Sequence, residues 1–168
     1  MNRVLLVFIL CIFNSCDDGD LVIETIDFND ISISFCESTT TVNSTLFFKT
    51  NTTEALVLEL QSGILKNEVS PETIVSTIPG QSQLIYRTFS ENVASNYFCD
   101  AVPPVIPTVS DEFEAERGEV LITTVQSEND STIFEHKIEL SGISFVNSSG
   151  QRITDLRIND FGTITTEE

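Results

Sequence analysis

The sequence predicts an all-β fold: a single antiparallel β-sandwich or small barrel over residues 21–168. Three observations carry that expectation. Apolar and polar residues alternate with period two through much of the chain, the pattern of a strand with one buried face. The alternating segments are rich in Thr, Val, Ile and Phe, which suit a pleated, half-buried surface. Turn-forming clusters of Gly, Pro, Asn, Asp and Ser recur at short intervals, and many short strands so spaced favour a sandwich or barrel over a βαβ arrangement.

Composition narrows the function. The 168 residues carry 26 Asp and Glu against 8 Lys and Arg, a formal net charge of −18. Nucleic acid is excluded as a partner, because its phosphates need Lys and Arg. An electrostatic grip on anionic lipid is excluded for the same reason. There is one His and no Trp, so one chain cannot build a multi-His metal site. Apolar residues make up 40%, enough for a folded core.

Residues 1–16 read MNRVLLVFILCIFNSC. Arg3 supplies a short positive region, and an apolar run from Val4 to Phe13 follows. At about 1.5 Å per residue this run covers roughly half of a ~30 Å bilayer core, so a secretory signal fits better than a membrane span. Phe13-Asn14-Ser15-Cys16 resembles a bacterial lipobox, although Phe13 departs from the usual Leu. The resemblance implies that residues 1–15 are a signal peptide and that Cys16 becomes the lipidated (palmitate-bearing) first residue. Residues 16–20 then form an acidic tether. One acyl chain holds a protein only marginally and two hold it stably. Asp17 and Asp18, directly after Cys16, resemble the surface-export signal of Bacteroidota-type lipoproteins; a plain solvated tether is the alternative. The stretches DGDLVIETIDFND, Cys36-Glu37 and YFCDAVPPVIPTV are similar to small flavobacterial-like cell-surface lipoproteins. That resemblance implies an outer-membrane location, lipid-anchored and facing the exterior, with no attached chemistry.

Export removes Cys11 and lipidation uses Cys16, which leaves Cys36 and Cys99. In an oxidising compartment the simplest state of that pair is a disulfide, with two free thiols as the alternative. Closing a loop of roughly 64 residues contributes about 4 kcal/mol in the chain-entropy description.

Strands are predicted at residues 21–28, 44–50, 55–60, 83–89, 119–125, 131–140 and 163–166, and Ile31, Ile33 and Phe35 share one further face. Ser70-Pro71-Glu72-Thr73 suggests a helical turn over residues 71–76, and residues 91–95 suggest a second. Turns are expected at Ser62-Gly63, Pro79-Gly80, Arg117-Gly118, residues 128–130, residues 147–150 and residues 159–162. Residues 102–109 hold three of the five Pro, so they read as an extended crossover.

Asp111, Glu112, Glu114 and Glu116 are the densest acidic run, expected as a solvated loop, with a divalent-cation site as the alternative. Asp17, Asp18, Asp20, Asp27 and Asp30 form a second such group. His136 shares a face with Phe134 and Ile138, which marks a packed, hydrogen-bonded His or one at a sheet margin. Asp130-Ser131-Thr132 resembles the short O-glycosylation acceptor of the same bacterial group, with Ser131 as the acceptor. No catalytic signature is present, so no catalytic residue and no cofactor are assigned. The reading is a non-enzymatic envelope lipoprotein. Its membrane contact is a lipid anchor, and its further partner is a protein or glycan at the cell surface. A glycan-binding or glycan-active module and a calcium-dependent adhesion module are the alternatives.

Overall fold

The structure, a computed structural model, describes residues 21–22, 26–153 and 159–168. Strands take 49% of the chain and helix 3%, so the fold is all-β, as the period-two pattern predicts. The strands are β1 (Leu21–Val22), β2 (Leu46–Asn51), β3 (Glu54–Glu59), β4 (Ile74–Ile78), β5 (Gln83–Phe89), β6 (Val109–Gln126), β7 (Ile133–Asn147), β8 (Arg152–Ile153) and β9 (Asp160–Glu167). A single turn of helix, α1 (Asn96–Cys99), lies between β5 and β6. All nine strands belong to one sheet of order β1-β8-β7-β6-β5-β3-β2, curled into a half-barrel.

Two long central strands organise that sheet. β6 spans 18 residues and β7 spans 15, and they pair antiparallel along most of their length. Each carries two shorter strands end to end on its outer edge. β5 pairs the first part of β6 and β4 the later part. β8 pairs the last part of β7 and β9 the first part. The interruptions fall on a line. β4 and β5 are broken at residues 79–82, opposite the part of β6 where the β6–β7 register shifts between Ala115 and Glu119. A further shift between Ile138 and Glu139 leaves Phe161 as the extra residue of β9. Bulges bend and twist a strand without ending it, and their alignment curls the sheet.

Several predicted turns are therefore corrected. Arg117-Gly118 is not a turn; both residues lie inside β6 at a bulge. Gly118 has φ +137°, and a Cβ there would sit 3.0 Å from Ile143 Cα and from Ser141 O. Residues 159–162 are likewise no turn, because Asp160–Glu167 is β9 with Gly162 at φ +123°. Asp111, Glu112, Glu114 and Glu116 are not a solvated loop but part of β6, with Phe113 and Ala115 alternating into the core. The helical turn expected over residues 71–76 is absent; β4 begins at Ile74 because β6 offers it a free edge. The second helical turn forms at Asn96–Cys99, not at residues 91–95. The strand expected over 21–28 is confined, among the described residues, to Leu21–Val22. The face of Ile31, Ile33 and Phe35 makes one bridge, Ser34 with Phe48, rather than a strand.

The core lies on the concave face. Phe47, Leu56, Leu58, Leu84, Tyr86, Ile122, Ile138 and Phe145 belong to it, with Ile26 and Phe28 closing it from the N-terminal side. A second cluster lies on the opposite face of β2, β3 and β5: Phe48, Ala55, Val57, Phe89 and Val93, covered by Tyr97 and Phe98 of α1. Phe98 stacks on Phe48 at 4.5 Å between ring centroids. β3 is thus buried on both faces, which explains its continuous apolar run. Cys36 and Cys99 are joined as a disulfide with a Cα–Cα distance of 5.2 Å, and this fixes α1 to the segment that follows the Ser34–Phe48 bridge.

Candidate functional site

Residues 26–40 cross the open side of the half-barrel and hold its two edges together. At β2, Ser34 exchanges backbone hydrogen bonds with Phe48, 2.7 and 2.9 Å. At β9, Thr40 donates its hydroxyl to Thr165 O, and Ile33 packs against Gly162, where a Cβ would lie 3.0 Å from Ile33 Cδ1. Between this strap and β9 lies a cleft of about 450 Å³. Its polar wall includes Asn29, Asp30, Thr40, Lys49, Asp160 and Thr163, and its aromatic wall is Phe35 and Phe161.

Lys49 is the unusual member. It sits two residues after Phe47 on the concave face of β2 and is only 2% exposed. Its ammonium donates to Phe28 O at 2.9 Å and lies 5.5 Å from the centroid of the Phe161 ring. Burial pulls its pKa below the ordinary lysine value, with Asp160 acting in the opposite direction. A buried ammonium is costly unless its donors are satisfied. Here one donor is held by the strap and the cleft adjoins the group, so an oxygen-rich ligand has a cation to approach.

A second groove, about 660 Å³, runs between the start of β6 and residues 146–151. Asp111, Glu112, Glu114 and Glu116 line it. Two of these carboxylates already have partners: Arg87 pairs with Glu112 and Arg152 with Glu116. Among the described residues no group of three acidic, His or Cys side chains is arranged to hold a metal ion. The strap cleft is the better candidate, because it brings together a buried charge, rings and hydroxyls.

His136 serves structure. It is fully buried, with Nδ1 2.8 Å from Thr124 Oγ1 and Nε2 2.8 Å from Thr166 Oγ1. Thr166 donates its single hydroxyl proton to Asn67 Oδ1 at 2.5 Å. Toward His136 it therefore accepts, which makes Nε2 the protonated nitrogen and leaves Nδ1 to accept from Thr124. Asn67 Nδ2 continues the chain to Glu167 O at 3.0 Å. Desolvation holds the imidazole pKa below its ordinary value, consistent with this neutral tautomer.

The other sequence-predicted residues are dispersed. Ser131 is exposed in the β6–β7 turn. Asp130 accepts from Thr132 N at 2.9 Å and Thr132 Oγ1 at 2.7 Å there, and these bonds lower its carboxyl pKa. Asp27 accepts from Asn29 N, and Asp30 reaches the strap cleft. Cys16, Asp17 and Asp18 lie outside the described residues. Sequence reasoning missed Lys49 and Asp160. The available signal was a Lys on the apolar face of LFFKTN, in phase with Phe47. Among the described residues no helix is long and apolar enough to cross a membrane. In comparisons with protein-family models, curated proteins and solved structures, the chain matches none of them.

Proposed function

We propose that this chain is an envelope lipoprotein, anchored through Cys16 in the outer membrane, facing the cell exterior, whose half-barrel is a non-enzymatic binding module. The single observation that carries the binding role is the strap cleft, where a buried Lys49 adjoins a space of about 450 Å³. The anchor rests on the apolar run, on Cys16 and on the acidic residues that follow. The lone His supports the non-enzymatic reading, because both of its ring nitrogens are engaged within the core.

A glycan ligand is the second reading. Hydroxyls, carboxylates and an amide beside Phe35 and Phe161 provide the mixed polar and apolar wall a sugar ring uses. Lys49→Met replaces the ammonium with an apolar chain of similar length, so the fold is expected to persist. A neutral oligosaccharide that binds the native protein and loses that affinity in Lys49→Met supports this reading; equal binding by both proteins removes the cleft from it.

The test of the anchor is the intact mass of the native protein, combined with protease treatment of whole cells. The expected result is a chain beginning at an acylated Cys16 and cleaved on intact cells. An unacylated chain that keeps residues 1–15 overturns the anchor. Acylation without cleavage on intact cells overturns the outward orientation.

A further inference from the structure

The connection between α1 and β6 exposes an apolar surface: Val102 is 82% exposed, Val105 88% and Ile106 62%, with Val109 at the start of β6 beside them. Three Pro residues in the same stretch limit its freedom. Asp100 and Asp111 flank it, and both are exposed. A patch of this kind on a chain of net charge −18 marks a contact surface.

The topology places this connection relative to β1. β1 is parallel to β8, β8 is antiparallel to β7, and β7 is antiparallel to β6. β1 therefore runs in the same direction as β6, and its N-terminus points to the end of the sheet where β6 starts. The register places Leu21 beside Arg152, Arg152 beside Val146, and Val146 beside Glu114. Five residues separate Glu114 from Val109, and five separate Leu21 from Cys16. Five residues of fully extended chain reach at most about 18 Å. Three inter-strand spacings separate β1 from β6, about 14 Å along the sheet. Leu21 and Val109 are thus near neighbours at this end, and Cys16 is within about 18 Å of Leu21. The apolar connection and the point where the chain leaves β1 toward Cys16 lie at the same end of the sheet.

We propose that residues 102–109 are a second membrane contact, in which Val102, Val105 and Ile106 enter the lipid of the bilayer that Cys16 anchors. The inference rests on the anchored reading of Cys16. Entry is driven by apolar burial, and the flanking Asp100 and Asp111 keep it shallow. The contact fixes the orientation of the half-barrel, with β1 near the bilayer and the β6–β7 turn at the far end.

The absence of Trp makes a single introduced Trp an unambiguous reporter. Val105→Trp and, as the distal control, Ser131→Trp are made in the full-length acylated protein and reconstituted on phosphatidylcholine vesicles with and without brominated chains. The expected result is a blue shift and bromolipid quenching at position 105, with neither at position 131. Solvent-like, unquenched emission at 105 in a protein whose mass shows acylated Cys16 overturns the contact and leaves the anchor standing. A mass without acylation removes the premise and overturns the proposal together with the anchor. A blue shift that grows with protein concentration without vesicles assigns the patch to a second copy and also overturns it.

Discussion

His136 shows how much a single buried side chain is constrained. The imidazole is neutral, accepts a hydrogen bond from Thr124 and donates one to Thr166, which leaves no lone pair free to accept a proton cheaply. In the unfolded chain the same group titrates near 6.5, and burial lowers that value in the fold. Where the two differ, the unfolded chain binds the extra proton, so stability rises with pH. The contribution is complete above the unfolded value and is lost as pH falls from there toward the folded one. The melting temperature is therefore expected to drop as pH falls through and below the unfolded value of 6.5, beyond the carboxylate contribution. His136→Gln should cost about 1–3 kcal/mol at neutral pH by leaving buried hydroxyls poorly partnered. It should also flatten the pH dependence below the unfolded value; thermal melts of the two proteins with parallel pH profiles would reject this account. Lys49 was less legible from sequence, because its cost is offset by Phe28 O, a backbone group 21 residues away.

At the scale of elements, the strand predicted at residues 55–60 carries Leu56, Leu58 and Leu60 on one face, and all three are buried, the first two within β3. It could not show that Ala55 and Val57 are covered too, since their cover is α1, brought there from residues 96–99. Gly118 and Gly162 were misread as turns for a related reason. A positive-φ Gly serves a turn or a bulge equally well, and the choice depends on whether a partner strand continues opposite it. Gly118 faces β7, so the strand continues. Gly118→Val should destabilise by about 3 kcal/mol or more, because it pays for φ and meets the backbone of Ile143 and Ser141. Gly150→Ala, at φ +81° with open space around it, pays for φ alone and should cost about 1 kcal/mol. Urea unfolding of the two variants compares them directly; equal midpoints would show that the bulge yields without strain.

The whole molecule is dominated by its charge. Among the described residues few carboxylates are ion-paired, as in Arg87–Glu112 and Arg152–Glu116, so most of their negative charge is uncompensated and repels itself. Such repulsion destabilises the compact state and is screened within about 10 Å at 0.1 M salt. Raising NaCl from low to physiological strength should therefore raise the melting temperature, and the rise should level off once the screening length falls below the spacing of the charges. A melting temperature that falls with salt would mean that the paired charges outweigh the unpaired ones. On the same scale, the path from β1 through β8 and β7 to β6 gives the half-barrel two distinct ends, one at Leu21 and one at the turn carrying Ser131.

The sequence by itself determined that this chain is all-β, where its turns at Ser62-Gly63 and Pro79-Gly80 lie, and that His136 shares a face with Phe134 and Ile138. These features are written locally: side chains alternate at period two, and adjacent residues declare which face is buried. The tertiary structure alone decided that two glycines bend strands instead of ending them, that the acidic run is a strand with Arg partners, and that a strap closes the half-barrel over Lys49. Each of those outcomes depends on groups brought together from distant parts of the chain, as with Thr40 and Thr165, which bond across 125 residues. A local pattern holds no record of which distant edge will be left open for pairing.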